Sequence, residues 1–290
     1  LSTKILNIGL AVPETQFTQK EIASMMGITT PKALRFFEHE LIKTRHLILP
    51  AAPTSALSFT EESPSQLRDK FLYNSLILIE KALDEALAKS NLRREDIDYI
   101  TCVTSTGFIV PGLSAFAIEK FNLKNNCQRL DIVGMGCNAG LNGLNAVSNW
   151  CLANPNKIGV LICCELCSCI YSMEDSENAA IVNSLFGDGV AACILQSTNT
   201  SSSPNLHPSI IDFSSHLISN SLPLLRFNWD KEKNRHSFYV DKKTPETLAS
   251  DINIPLDSLL KKNHLNFSDI SHWIVHSGGS AILDAIEKKM

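Results

Sequence analysis

The segment LDEALAKSNLRREDI at residues 83–97 recurs 173 residues later as LDSLLKKNHLNFSDI at 256–270. The two segments share seven of fifteen residues, where unrelated sequences would share about one. In each copy a helical pattern and a polar turn lead into an apolar run, Tyr99 to Val103 in the first and His272 to Val275 in the second. We therefore expect two similar α/β halves, each with a helix that leads into a buried strand.

The remainder of the first half alternates apolar runs with one long helical pattern. We predict buried strands at 130–133, 158–164 and 190–195, and a helix at 138–152. The run at 158–164 is apolar without interruption, which is typical of a strand covered on both faces. This alternation predicts a layered α/β fold with a mostly parallel sheet.

A stretch rich in Ser, Asn, Thr and Pro at 198–208 joins the two halves. The predicted domains are therefore 1–197 and 198–290. A second half as long as the first would extend about 80 residues beyond Met290. We expect one complete half followed by a truncated second half.

The composition excludes several classes of protein. Of the 290 residues, 44% are hydrophobic and 19% are charged, which predicts a sizeable core rather than a disordered chain. The net charge of −4 argues against a nucleic-acid partner, and no apolar run reaches the roughly 18 residues of a membrane span. Nine cysteines without a signal-peptide pattern predict a reduced, cytoplasmic protein with no membrane partner.

The strongest candidate for a nucleophile is Cys137, in the segment Gly134-Met135-Gly136-Cys137-Asn138-Ala139-Gly140. A strand leads into these glycines and a helix comes after them, and such an elbow exposes a nucleophile to substrate. The positive end of the helix dipole favours the thiolate form. The helix is apolar on nearly all sides, which predicts that it is buried. A small core cysteine is the alternative interpretation.

The second candidate is His276, which ends a predicted strand in the second half and precedes Gly278 and Gly279. Functional groups in α/β sheets lie at the carboxyl ends of strands. A neutral imidazole beside a thiol accepts its proton or donates to a thioester oxygen. The repeat would bring Cys137 and His276 to one centre, although a hydrogen-bonded core histidine is the alternative.

Together these motifs resemble those of the type III polyketide synthases, the chalcone synthase group within the thiolase fold. The resemblance runs nearly end to end, and it rests on the Cys137 elbow, on Pro111-Gly112, on the segment 185–189 and on the segment 276–284. It implies a thiolase-like fold of two pseudo-repeated halves in α-β-α-β-α layers. Ser277 stands where the family usually has proline.

Within the family, the runs at 135–138 and 182–187 are most similar to bacterial members that make 3,5-dihydroxyphenylacetyl-CoA from malonyl units. The resemblance implies that Cys137 takes an acyl group from an acyl-CoA starter as a thioester. His276 would keep Cys137 as thiolate and stabilise the charge that forms when malonyl-CoA decarboxylates. The enolate would then attack the thioester in a decarboxylative Claisen condensation.

The resemblance also assigns substrate contacts. Phe186 and Phe238 match two gatekeeper phenylalanines between the CoA tunnel and the cavity, and a core aromatic is the alternative for Phe186. The backbone of Gly278, Gly279 and Ala281 would line the pantetheine arm. The family works as a homodimer, and Val110 matches a residue that reaches into the partner's cavity. No metal or redox cofactor is expected.

A basic stripe is predicted near the amino terminus. Thr30 and Pro31 begin a helix, and Lys32, Arg35 and His39 then fall on one face of it. Such a stripe suits the phosphates of CoA. Lys32 and Arg35 match basic positions of the family, whereas His39 replaces a lysine. A solvated helix face is the alternative.

Cys164 and Cys167 form a C-x-x-C motif without the second matched pair that a structural zinc site needs. The motif leaves an apolar strand, whereas redox C-x-x-C motifs begin a helix. We therefore interpret these thiols as core. By resemblance, Cys167 and Ile170 border the elongation cavity and shape product choice.

The sequence leaves other functions open. The third catalytic residue of the family, an Asn on the mirrored elbow, would fall about 20 residues beyond Met290. A β-ketoacyl-carrier-protein synthase III shares the Cys and His but uses a carrier-protein partner. A truncated paralogue that acts only as a structural partner is the non-enzymatic alternative.

Overall fold

The computed structural model describes residues 2–38, 41–49, 62–172, 174–198, 207–232 and 234–290. The strands are β1 (Thr3–Ala11), β2 (Gln16–Thr18), β3 (Thr44–His46), β4 (Ile97–Thr104), β5 (Gln128–Val133), β6 (Ile158–Leu166), β7 (Asp188–Ser197), β8 (Ser209–Ile210), β9 (Leu225–Asp230) and β10 (Arg235–Val240). The helices are α1 (Gln19–Met25), α2 (Pro31–Leu34), α3 (Pro64–Lys89), α4 (Leu113–Lys120), α5 (Ala139–Ala153), α6 (Glu177–Leu185), α7 (Thr244–Ser250), α8 (Asn253–Lys262) and α9 (Ser280–Glu287).

A six-stranded sheet forms the centre of the molecule, in the order β5-β4-β6-β7-β1-β8. β4 is parallel to β5 and β6, but β7 is antiparallel to β6 and β1, and β8 is antiparallel to β1. The prediction of a mostly parallel sheet was therefore wrong. The segment between β6 and β7 returns the chain to the same end of the sheet, where Leu166 pairs with Asp188, rather than crossing the sheet face.

Helices cover both faces of this sheet. The buried stripe of α3 includes Leu78, Ile79, Ala82 and Ala86, whose spacing of three and four residues is that of one helix face. At Gly9 an added Cβ would lie 2.0 Å from the carbonyl oxygen of Ala82. β1 and α3 therefore approach so closely at Gly9 that there is no room for a side chain. The resulting helix–sheet–helix layers confirm the predicted α/β fold class.

Helix α5 lies on the other face of the sheet and begins just after Cys137. At Gly143 an added Cβ would lie 2.6 Å from Leu161 and 2.8 Å from Val103, so the helix packs closely on β6 and β4. Only one side of α5 is buried, however, and Leu141 on the outer side is 66% exposed. The prediction of a helix buried all round was wrong for that side, because the strands it packs on lie to one side of it.

The predicted strand at 130–133 forms as part of β5, but it is not buried. β5 is an edge strand, and Leu130 and Val133 are 37% and 44% exposed. An edge strand lacks the second neighbour that would cover it, and apolar composition alone does not reveal edge position.

The internal repeat is confirmed in local detail. Asn91 and His264, 173 residues apart, both adopt the left-handed conformation, with φ of 53° and 57°. Each turn comes after a helix, α3 or α8, and leads into a short 3₁₀ segment, Arg94–Asp96 in the first copy and Phe267–Asp269 in the second.

The predicted strand His272–Val275 does not form. These residues form no strand pairing, and Ile274 is fully exposed. A strand needs a hydrogen-bonded neighbour, and none of the described strands pairs with this segment. Beyond residue 207 the described chain instead contributes β8 to the edge of the first sheet, the hairpin β9–β10, and helices α7 to α9. The domain boundary at 197/198 stays a prediction.

Candidate active site

The Cys137 elbow is built from two glycines and the end of β4. Gly134 and Gly136 have φ of 81° and 64°, a conformation that glycine adopts without steric penalty. Gly134 N–H donates to the Thr104 carbonyl (3.1 Å), and Gly136 N–H donates to Ser105 Oγ (2.9 Å). A 3₁₀ turn then places Cys137 immediately before α5, where the residue is exposed.

Glu165, near the end of β6, is the charged group that acts on Cys137. Its carboxylate accepts from Ser105 N–H (2.8 Å) and from Thr106 Oγ1 (2.7 Å), while burial raises its pKa. Partial desolvation, and then the charge of Glu165, raise the pKa of the Cys137 thiol. This direction is opposite to the one that the helix dipole alone predicts. Sequence reasoning missed Glu165, and the signal was a lone carboxylate inside the apolar run of β6.

His276 lies in an exposed loop before α9. Its ring sits over Gly278, where an added Cβ would be 3.3 Å from Nε2. At Gly279, with φ of 138°, an added Cβ would be 4.0 Å from Leu185 Cδ1, so the loop lies beside the end of α6. No hydrogen bond joins His276 to Cys137 in the part of the chain that the structure describes. Ala281 is exposed in the first turn of α9.

Phe186 and Phe238 come together although they are 52 positions apart in the sequence. Their ring centroids are 5.8 Å apart with an interplanar angle of 71°, an edge-to-face contact. Phe227 on β9 packs against Phe238 at 5.1 Å. The pair predicted by resemblance is thus a physical contact between the end of α6 and β10.

The carbonyl of Phe186 is held by a buried cation. Arg45, 6% exposed, donates from Nη1 to this carbonyl (2.7 Å) and to Tyr171 Oη (2.8 Å), and from Nη2 to Gln19 Oε1 (2.7 Å). Tyr171 Oη also donates to the Phe186 carbonyl. Sequence reasoning missed Arg45, because nothing in the local pattern distinguishes it from a surface arginine.

A cavity of about 180 Å³ lies between the start of α3, the loop after β4 and the β9–β10 hairpin. Ile170 is in its wall, as are Phe71, Thr106, Phe108, Trp229 and His236. Cys167 is not among the lining residues. It is buried beside Tyr171 instead, and burial raises the pKa of its thiol well above the usual range.

Helix α2 begins at Pro31, as the sequence predicts, but it ends at Leu34. Lys32 and Arg35 are exposed there. Arg35 already caps the helix, so the helix is shorter than a face from Lys32 to His39 requires. His39 lies outside the described residues. Lys32 Nζ is 3.8 Å from Glu177 Oε1, and Lys242 Nζ is 3.2 Å from Glu177 Oε2.

Asp175 holds the start of α2 against the segment before α6. One carboxylate oxygen accepts from Thr29 N–H (3.1 Å), Thr29 Oγ1 (2.7 Å), Thr30 N–H (2.9 Å) and Thr30 Oγ1 (2.9 Å). These hydrogen bonds hold the pKa of Asp175 below its ordinary value. The basic end of α2 is therefore fixed relative to the Glu177 carboxylate.

Val110 is 84% exposed and precedes Pro111 through a cis peptide bond. All nine cysteines are free thiols. Within the described ranges, no group of three or more His, Cys, Asp or Glu side chains is arranged to hold a metal ion. None of the helices described is both long and apolar enough to cross a membrane.

The chain matches known proteins in sequence and in structure. A family model described as FAE1/Type III polyketide synthase-like protein matches residues 21–206. The chain is 38% identical to the 3,5-dihydroxyphenylacetyl-CoA synthase of Streptomyces toyocaensis over 98% of this chain and 73% of that protein.

Two solved structures agree with this assignment. PKS-I from the brown alga Ectocarpus siliculosus has a TM-score of 0.89 at 26% identity, over 99% of this chain and 80% of that one. The C-terminal type III polyketide synthase domain of Steely1 from Dictyostelium has a TM-score of 0.85 at 26% identity, over 100% and 83%. This chain belongs to the type III polyketide synthase family, whose members are acyltransferases. The comparisons support neither the carrier-protein-dependent synthase nor the non-enzymatic partner.

Proposed function

We propose that this protein condenses malonyl-CoA units on a thioester of Cys137, in the manner of a 3,5-dihydroxyphenylacetyl-CoA synthase. The observation that carries the proposal is the glycine elbow, which exposes Cys137 next to the amino terminus of α5. The similarity at 38% to a synthase of that name supports the product class.

The proposed chemistry balances without an added oxidant or reductant. Cys137 thiolate attacks the acyl-CoA carbonyl, the new C–S bond forms, and CoA leaves as its thiol after taking up a proton. Malonyl-CoA then loses CO₂, and the enolate carbon attacks the Cys137 thioester. The new C–C bond releases Cys137 as thiolate, and the lengthened chain remains on CoA. No metal or redox cofactor is required.

In this proposal the other residues bind and guide the substrate. His276 stabilises the thiolate and the enolate oxygen. Lys32 and Arg35 contact the CoA phosphates, and the backbone of the loop at 278–281 lies along the pantetheine arm. Phe186 and Phe238 stand between the CoA site and the cavity, whose wall at Ile170 limits the product.

We further propose a homodimer in which the exposed Val110 enters the partner's cavity. Its exposure of 84% leaves the side chain available for such a contact. The nine free thiols support a reducing, cytoplasmic setting. Sedimentation of the native chain, compared with Val110→Asp, tests the dimer, since a carboxylate at an apolar interface opposes association.

Acyl loading tests the reaction directly. The protein is incubated with radiolabelled malonyl-CoA or acetyl-CoA, and the covalently bound label is counted after denaturation. Cys137→Ala should lose the label, whereas Cys193→Ala, at a half-buried thiol on β7, should retain it. Labelling that persists in Cys137→Ala contradicts the proposal.

Product analysis tests the finer assignment. Mass spectrometry after incubation with malonyl-CoA alone should show 3,5-dihydroxyphenylacetyl-CoA. A tetrahydroxynaphthalene product, like that named for the Streptomyces coelicolor relative at 29% identity, would support the proposed condensation reaction. It would contradict the assignment of 3,5-dihydroxyphenylacetyl-CoA as the product.

A further inference from the structure

The hairpin strand that carries Phe238 is held on its outer edge by a side chain of α6. β10 pairs with β9 on one side, where Phe238 lies opposite Phe227. On the α6 side, Asn178 Nδ2 donates to the Phe238 carbonyl (2.8 Å), and Val240 N–H donates to Asn178 Oδ1 (3.3 Å). A single amide therefore satisfies one acceptor and one donor of the strand.

This arrangement reproduces what a neighbouring strand would do. In a parallel ladder one residue accepts from the N–H of residue j+1 and donates to the carbonyl of residue j−1. The Asn178 side chain makes the same two bonds around Tyr239, with both groups of one amide. The two bonds thereby fix both the position and the rotation of β10 relative to α6. A single hydrogen bond would not fix both.

Helix α6 also fixes the opposing ring. Asn178 is its second residue, and Phe186 comes directly after its last residue. The Phe186 carbonyl accepts from Arg45 and Tyr171, so the far end of α6 is fixed by a buried network. The two ends of one nine-residue helix therefore set the positions of both rings, which meet at 5.8 Å.

We propose that Asn178 is a positioning residue that holds Phe238 against Phe186 and so sets the passage between the CoA site and the cavity. This role rests on the proposed function, in which the two rings form that passage. Asn178 touches neither CoA nor the reacting atoms in this proposal. It acts through the backbone of Phe238.

The test is a double-mutant cycle between Asn178 and Phe238, with kcat and KM for malonyl-CoA measured separately. Asn178→Ala in the native background should lower kcat/KM about tenfold, because the strand loses both bonds. In the Phe238→Ala background the same change should lower it less than about twofold, since no ring remains to be positioned. Equal losses in the two backgrounds, or no loss in the native one, overturn the proposal.

Two further variants separate positioning from general destabilisation. Asn178→Asp keeps the shape and the acceptor for Val240 N–H but loses the donor to the Phe238 carbonyl, so it should resemble Asn178→Ala. Asn154→Ala removes a matched amide-to-carbonyl bond of 2.9 Å to Trp150, at the end of α5, and should leave kcat/KM unchanged. A loss in Asn154→Ala equal to that in Asn178→Ala overturns the proposal.

Hydrogen exchange at β10 provides a readout that does not depend on activity. Asn178→Ala should raise the exchange rate of the Val240 amide at least about tenfold, because that amide loses its acceptor. The native chain could fail to load an acyl group and to condense malonyl-CoA while Asn178→Ala still raises the exchange rate of the Val240 amide. In that case the proposed function is wrong, but the positioning of β10 by Asn178 is supported. If exchange at Val240 is unchanged, the positioning role itself is overturned.

Discussion

Asp96 and Asp269, which are 173 residues apart, accept the same hydrogen bond at the same length. The Asp96 carboxylate accepts from Arg93 N–H at 2.7 Å, and the Asp269 carboxylate accepts from Asn266 N–H at 2.7 Å. The two turns are therefore equivalent, including the aspartate carboxylate that caps each 3₁₀ segment. Their surroundings differ, because the first turn leads into a buried central strand and the second into an exposed segment.

This difference predicts unequal losses of stability. Asp96→Ala should lower the free energy of unfolding by about 0.5–1.5 kcal/mol, the usual net contribution of one hydrogen bond. Asp269→Ala should lower it less, since the chain after Asp269 is exposed and forms no strand pairing. Chemical denaturation followed by circular dichroism measures both values, and a larger loss for Asp269→Ala would contradict this interpretation.

Replacing Glu165 by Gln should make the Cys137 thiol more acidic. The carboxylate raises the thiol pKa, so removing its charge lowers that pKa and increases the thiolate fraction at neutral pH. The rate of Cys137 alkylation by iodoacetamide at pH 7.5, monitored by peptide mass spectrometry, should rise about two- to fivefold.

A surface carboxylate provides the control for this experiment. Glu80 pairs with Arg94 at 2.9 Å on the side of α3, and Glu80→Gln should leave the Cys137 alkylation rate unchanged. A slower reaction in Glu165→Gln would show that the amide disrupts the elbow, which Ser105 and Thr106 link to this side chain.

Arg45→Ala should be strongly destabilising. It leaves Gln19 Oε1 and Tyr171 Oη without their buried donor and removes one of the two donors to the Phe186 carbonyl. Each buried acceptor left without a partner costs about 1–3 kcal/mol. The exposed Arg35→Ala should change stability by less than about 0.5 kcal/mol. Urea denaturation compares the two, and a similar midpoint for both variants would refute the importance of the network.

Glu177→Gln should tighten the binding of CoA thioesters. The carboxylate neutralises Lys32 and Lys242 in the free protein, and these exposed pairs are weak enough for a phosphate to displace. The KM for malonyl-CoA should fall about two- to threefold at low salt, and the effect should shrink as ionic strength rises. Lys32→Ala should raise the KM for malonyl-CoA. If Glu177→Gln also raised this KM, competition between Glu177 and the substrate for Lys32 and Lys242 would be excluded.

The sequence predicts those features of the fold that depend on residues close together in the chain. Glycine at 134 and 136 predicts the elbow, because the left-handed backbone there requires it, and the repeated LD…DI pattern predicts two equivalent turns. Proline at 31 predicts the start of α2. These features depend on residues that are neighbours in the chain.

Features that depend on distant contacts were not predicted. The direction of β7 is set by the end of the sheet at which the segment after Leu166 re-enters it. The periodicity of apolar residues does not predict that end. The exposed side of α5 and the edge position of β5 depend on which elements lie beside them. Arg45 is buried only because α1, Tyr171 and Phe186 converge on it from separate parts of the chain.

The pairing of β1 with β7 also constrains how the protein is made. Thr3 pairs with Ser197 and Ala11 with Val190, so β1 waits through the synthesis of most of its sheet before its partner strand leaves the ribosome. At about 5–20 residues per second, that interval is on the order of ten to forty seconds. During this time the apolar edge of β1 is open, and nascent chains of this protein should be clients of ribosome-associated chaperones.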